Sequence, residues 1–169
     1  MIVYTVGTFD LLHVGHLALL NHCRTLGDVV AVGVASDKVV NLYKPHVPVI
    51  PLNQRMEMLE ALQCVDIVRP YHQLEYVSGC RELKADIFVI GGDWSRKLPN
   101  LDVEAYLKAE GKQITQVRYN PRTSSTKIKQ IVIAQSSQTS SKVHTSVNKN
   151  NHISPLASPH RSTQETPIQ

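Results

Sequence analysis

Over the first 134 positions, short unbroken apolar runs alternate with longer stretches whose apolar residues recur every three or four places. Ile2 to Val6, Val29 to Val34 and Ile87 to Ile90 are three such runs, and the second is too continuous for a half-exposed strand. They read as strands covered on both faces. After the first run, Leu12, Leu19, Cys23 and Leu26 keep helical spacing, and Gly27 is placed to close that helix. Residues 38–52 carry Pro45, Pro48 and Pro51 and are expected to form a loop. Asn53 is placed to cap a helix on which Met56, Leu59 and Leu62 share a face. Ile67 and Val68 open a short strand that Pro70 ends. Helices are expected over 73–84 and 102–110, the second closed by Gly111. A strand from Ile114 to Val117 follows, and Ser124 or Ser125 caps a last helix ending near Ala134.

Strand then helix, five times over, predicts an α/β fold: a Rossmann-like, doubly wound parallel sheet in a single domain over 1–135. Such sheets bind ligands beyond the carboxyl ends of their strands, at the topological switch point. The polar motifs fall in those loops: Thr8 to His16, Asp37, Gly91 to Trp94, and Arg122 to Lys127. From Ser136 the composition changes: 18 of the 34 remaining residues are Ser, Thr, Asn or Gln, and none is aromatic. Such a segment buries too little apolar surface to offset its ordering entropy, so 136–169 is expected to be a disordered polar tail.

Charge and cysteine content narrow the function. The net charge is +4, from 18 basic and 14 acidic residues, with no basic stripe. That argues against a nucleic-acid platform and fits a modest anionic ligand. Cys23, Cys64 and Cys80 show no CxxC spacing, which argues against structural zinc and a disulfide framework. No apolar run approaches the 18 residues of a membrane span, and the chain opens directly on a strand, so a cytoplasmic protein is expected.

The chemistry concentrates in GTFDLLHVGH, Gly7 to His16. His13 and His16, three residues apart at a helix start, are expected to share one face of its first turn. Gly15 between them leaves room for another group. A helix N-terminus attracts anions, so two imidazoles aimed there suit a phosphate chain. HxGH behind GTFD resembles the signature of the nucleotidyltransferase superfamily that includes glycerol-3-phosphate cytidylyltransferase. Three further motifs extend the resemblance over residues 2–134. RTSSTKI resembles the cytidylyltransferase motif in which an Arg-Thr pair, here Arg122 and Thr123, lies near the base. Ser125 and Thr126 match its phosphate-contacting hydroxyls, although the usual Glu-Gly-Ile between pair and hydroxyls is missing. GGDW resembles the Gly-Asp-Asp-Trp of the glycerol 3-phosphate enzymes and the Gly-Gly-Asp of heptose-1-phosphate adenylyltransferases. The resemblance places Gly91 and Asp93 at the nucleotide and Trp94 at the acceptor. Lys44 resembles a lysine that neutralises the triphosphate, and Arg55 an arginine that reaches the acceptor phosphate. Asp37 matches an acid common to several branches. His46 and Gln63 stand where the glycerol 3-phosphate enzymes have a second lysine and a second arginine, and PVIPLNQRMEMLEAL resembles the heptose enzymes and archaeal FAD synthetases at least as well.

The resemblance implies transfer of a nucleotidyl group from a nucleoside triphosphate to a small phosphorylated acceptor, with pyrophosphate released and Mg2+ neutralising the triphosphate. It assigns catalysis to His13, His16 and Lys44, nucleotide binding also to Gly7, Thr8, Phe9 and Gly15, and acceptor binding to Asp37, Arg55 and Trp94. It also implies a homodimer. CTP with sn-glycerol 3-phosphate, giving CDP-glycerol, is the first expectation, on Trp94 and Arg122-Thr123. ATP with a heptose 1-phosphate or FMN is the alternative, and phosphoethanolamine also fits the class. An inactive nucleotide-binding module is the reading from another class, and intact His13, Gly15 and His16 argue against it.

Overall fold

A computed structural model describes residues 1–44, 47–92, 98–118 and 123–147. The chain runs β1 (Ile2–Gly7), α1 (Val14–Leu26), β2 (Val29–Ala35), α2 (Asp37–Tyr43), α3 (Leu52–Glu60), β3 (Ile67–Tyr71), α4 (Val77–Glu82), β4 (Ile87–Ile90), α5 (Leu98–Ala109), β5 (Gln113–Gln116) and α6 (Ser125–Val147). The five strands pair in parallel in the order β3-β2-β1-β4-β5. The chain winds outward from β1 to β3 and then returns to the other side of β1. The crevice at the carboxyl ends of β1 and β4 is therefore the switch point.

Helices cover both faces, which explains the unbroken apolar runs. On one face Leu20 and Cys23 of α1 and Leu59 of α3 pack with Val3, Val30, Val32 and Val89. On the other, Cys80 of α4 and Val103 and Leu107 of α5 pack with Tyr4, Ala31 and Phe88. Each fully buried aliphatic side chain contributes about 1.5–3 kcal/mol. The Rossmann-like, doubly wound α/β class is the one expected.

Several boundaries differ from the sequence reading. Residues 37–43 form a short helix where a loop was expected. Ser36 Oγ caps it by accepting from Val39 N at 3.3 Å, and Val39 and Val40 are buried. Fewer than two turns of helix leave too little periodicity to read. Strand β3 runs through Pro70 because it is the edge strand, where a missing N–H costs no ladder bond on the open side. Gly111 sits at φ 66°, the left-handed close expected of it. Gly27 is instead extended, and its need is space: a Cβ there would lie 2.7 Å from the Met1 carbonyl oxygen.

The chain divides into two compact units, Met1–Lys129 and Gln130–Gln169. The first holds the sheet. In the second, α6 continues to Val147, beyond the expected end near Ala134 and into the segment expected to be disordered. No Gly or Pro occurs between Ala134 and Val147 to stop it. Among the described residues, no helix is long and apolar enough to cross a membrane.

Candidate active site

The loop after β1 makes the floor of the site, and its backbone is unusual. Phe9 and Leu11 take φ values of 52° and 50°, the left-handed region that ordinary side chains avoid. The strain is held by Asp10, which is 4% exposed. Its Oδ1 accepts from Val49 N and Ile50 N, both at 3.0 Å, and its Oδ2 pairs with Lys129 Nζ at 2.8 Å. Its backbone carbonyl accepts from Ser125 Oγ at 2.6 Å. Burial pushes the Asp10 carboxyl up, but Lys129 and the two amides outweigh it and hold it below the usual carboxylate value. Asp10 thus ties the β1 loop, the 47–50 segment and the start of α6 together. The sequence motif contained Asp10 without revealing that role, because all four partners are distant in sequence.

His13 is the N-cap of α1, one residue outside its first turn. Its Nδ1 accepts from Gly15 N at 3.1 Å, while His16 Nδ1 accepts from His13 N at 3.3 Å. This is a capping box built from two histidines. The rings stack, with centroids 3.9 Å apart and 21° between planes. Since each Nδ1 accepts a backbone proton, each ring carries its own proton on Nε2. Burial, with the charges of His13 and Lys44, pushes His16 down to about 4 although Asp10 pulls the other way. Burial also lowers His13, against a backbone hydrogen bond that raises it. At neutral pH the pair is two uncharged imidazoles, each offering one Nε2–H. Glycine at 15 is required by this packing: a Cβ would lie 2.9 Å from His13 Cε1. A Cβ on Gly7 would lie 3.0 Å from the Phe9 ring.

A cleft of about 600 Å³ opens over this pair. Gly7, Thr8, Phe9, His13, Gly15, His16, Lys44, Gly91, Thr123, Ser125 and Thr126, all expected site residues, line it. Lys44 Nζ donates to Thr8 Oγ1 at 3.1 Å, and the Tyr43 hydroxyl is 3.1 Å from the same oxygen. Ser124 caps α6, its Oγ accepting from Lys127 N at 3.1 Å, so the helix presents its N-terminal turn to the cleft. The sequence reading missed Tyr43, Tyr71, Tyr76, Asn100 and Arg118 in the lining. They come from five separate segments, and only the adjacency of Tyr43 to Lys44 offered a signal.

Two expected acceptor ligands are not in the lining. Arg55 is 1% exposed and turned into the protein. Its Nε donates to the Ile50 carbonyl and one Nη2 bond goes to the Ala35 carbonyl, both at 2.9 Å. Nη1 donates to the Thr8 carbonyl. Nη2 also pairs with Asp37 Oδ1 at 2.6 Å. Arg55 and Asp37 therefore form a clamp between the ends of β1 and β2, and the fold brings neither into the cleft lining beside the other expected site residues. The reason is chemical: a buried guanidinium is stable only when carbonyls and a carboxylate surround it. Asp93, Trp94 and Arg122 lie outside the described residues, as do His46 and residues 148–169.

Among the described residues no three His, Cys, Asp or Glu side chains gather to hold a metal. Asp10 and Asp37 are both committed to basic partners. These residues do not fit a protein-built cage for Mg2+.

The combination of an HxGH cap, a hydroxyl-rich helix start and a switch-point cleft has a sequence counterpart. Residues 4–131 match the cytidylyltransferase-like family. The chain belongs to that family. This cytidylyltransferase-like nucleotidyltransferase is 40% identical over 97 residues to the bifunctional protein HldE of Helicobacter hepaticus, covering 57% of this chain and 20% of that protein. It is 43% identical over 94 residues to HldE of Hydrogenovibrio crunogenus, covering 55% and 20%. The chain thus spans about a fifth of the length of these relatives. The crystal structure of a lipopolysaccharide core biosynthesis protein from Thermoplasma volcanium superposes with a TM-score of 0.60 at 27% identity, covering 71% of this chain and 96% of that one.

Proposed function

We propose that this cytidylyltransferase-like protein is an adenylyltransferase. It joins ATP to the phosphate of a sugar phosphate of the heptose 1-phosphate class and releases pyrophosphate. The observation that carries the chemistry is the stacked His13–His16 pair, which lines the cleft with Lys44 and the start of α6. An oxygen of the acceptor phosphate attacks the α-phosphorus in line. The new P–O bond forms as the bond to the departing pyrophosphate breaks. Negative charge then grows on the α-phosphate oxygens, where preorganised donors act most strongly. His13 and His16 donate to those oxygens. Lys44 and Thr8 hold the triphosphate from one side, and Thr123, Thr126 and the backbone of Ser125, whose hydroxyl is taken by the Asp10 carbonyl, from the other. Gly91 allows close approach beside Asn100, which would meet the base.

Magnesium enters this scheme only as the counter-ion of the nucleotide. When bound, it would neutralise charge on the triphosphate.

ATP and the heptose class rest on likeness. Pro48 to Leu62 and Gly91-Gly92 resemble heptose-1-phosphate adenylyltransferases. The similarities to HldE and to a lipopolysaccharide core biosynthesis protein favour that branch over CDP-glycerol synthesis. The CTP and glycerol 3-phosphate reading stands mainly on Trp94 and Arg122. The test is pyrophosphate release with ATP or CTP, each against a heptose 1-phosphate, FMN and glycerol 3-phosphate. Turnover with ATP and the heptose 1-phosphate is expected. Turnover confined to CTP and glycerol 3-phosphate overturns the proposal. Release with no pair, alongside a nucleotide-induced rise in Tm, makes the protein a binding module.

A further inference from the structure

The cleft has two unlike flanks around the histidine pair. One, at the ends of β4 and β5 and the starts of α5 and α6, offers Asn100, Val117 and Arg118. The other, at the ends of α2, β3 and the cap of α4, offers Tyr43, Tyr71, Leu74 and Tyr76. We infer that this second flank is the acceptor subsite and that its three tyrosines select a cyclic, hydroxylated acceptor, a sugar ring. The inference rests on the nucleotidyltransferase reading of the cleft and adds to it the residues that choose the acceptor.

Lys44 Nζ and the Tyr43 hydroxyl both meet Thr8 Oγ1, each at 3.1 Å. Tyr43 in turn lies beside Tyr71, close enough to help raise its phenol. A line of polar groups therefore leads from the phosphate end of the cleft into the aromatic flank. Burial, with Tyr43 and Tyr76 beside it, drives the Tyr71 phenol far above its ordinary value, so it stays a protonated donor. Tyr71 and Tyr76 meet edge to face, centroids 5.9 Å apart at 87°, which holds the two rings at right angles. A ligand entering this flank would meet two rings whose planes stand at right angles. A pyranose suits this arrangement: its C–H face packs on an aromatic face while its hydroxyls exchange hydrogen bonds with phenols. A three-carbon polyol has no ring face to present. An amino-alcohol phosphate brings an ammonium group, and none of the described residues lining the cleft is acidic.

The test is equilibrium binding, which needs no turnover. Wild-type protein, Tyr71→Phe and Tyr76→Leu are titrated with mannose 1-phosphate, glycerol 3-phosphate and α,β-methylene-ATP. Wild type is expected to bind the sugar phosphate more tightly than glycerol 3-phosphate. Tyr76→Leu should weaken sugar phosphate binding about tenfold, and Tyr71→Phe about fivefold, for loss of a stacking face and of one hydrogen bond. Binding of the ATP analogue should stay within about twofold. Tyr76 also packs on Phe88, with centroids 6.0 Å apart, so Tyr71→Phe carries the test if the leucine variant fails to fold. Weakened analogue binding with unchanged sugar binding would give this flank to the nucleoside and overturn the inference. Equal affinity of wild type for both phosphates would overturn it as well. Sugar binding on the tyrosines without pyrophosphate release would sink the enzymatic reading and leave the subsite standing. Pyrophosphate release with unaltered variants would do the reverse.

Discussion

Arg55 separates two accounts of this site. As an acceptor ligand it would be free to meet a phosphate; in the structure it is 1% exposed and donates to the carbonyls of Thr8, Ala35 and Ile50 and to Asp37. Replacement by Met keeps much of the length and removes every donor. Three carbonyls then lose their partner, at about 1–3 kcal/mol for each that stays buried. Water entering from the cleft side relieves part of this at Thr8 and Ile50. Asp37 is partly exposed, so loss of its ion pair adds little. The expected loss is about 3–5 kcal/mol, in line with removal of one partner from a buried charged network. Arg55→Lys keeps the charge but cannot span the three carbonyls, so it should recover only about half of that. Urea unfolding followed by circular dichroism measures both. Because the Thr8 carbonyl is one of the clamped groups, kcat and nucleotide affinity should fall together with acceptor affinity. A stability change under about 1 kcal/mol, with only the acceptor KM raised, would refute the clamp and restore Arg55 as an acceptor ligand.

Three further outcomes follow from the geometry. His16→Ala should lower kcat about 10²–10³-fold, as removal of one preorganised donor does, while the variant remains folded by circular dichroism; near-normal turnover on the true substrates would dismiss the catalytic role. Gly15→Ala drives a methyl into His13 Cε1, so the stacked pair should separate and kcat fall about tenfold or more, with Tm lowered by the weakened cap; unchanged kinetics would show that the pair need not stack. Stability should fall as pH drops from about 6.5 towards 4. Unfolded imidazoles bind protons there that His16, held at about 4 by burial, refuses, a difference of up to about 3 kcal/mol. His13 shifts in the same direction. Asp10, already depressed, adds its own loss only below the ordinary carboxylate range. Urea midpoints across pH 7 to 4 measure this, and a limb equally steep in His16→Asn would exclude His16 as the source.

Local sequence determined the strands and their order, and it pointed to the candidate site, although it left helix α2 unread. An unbroken apolar run states that both faces of its strand are covered, and alternation of such runs with helical spacing leaves a doubly wound parallel sheet as the solution. The motif from Gly7 to His16 was equally legible, because its chemistry is local: the two histidines bond to backbone atoms within three residues. What the chain could not show in one dimension was partnership at a distance. Arg55 reads as a free cation until folding places the Thr8 carbonyl beside it, 47 residues away. Asp10 reads as a motif acid until Lys129 and Ser125 arrive. Tyr43, Tyr71 and Tyr76 carry no shared pattern, since they meet only where the ends of α2 and β3 and the cap of α4 converge on one edge of the sheet. Periodicity encodes which face of an element is buried. Which buried groups satisfy one another, and which remain to meet a ligand, is decided only when the sheet brings its loops together.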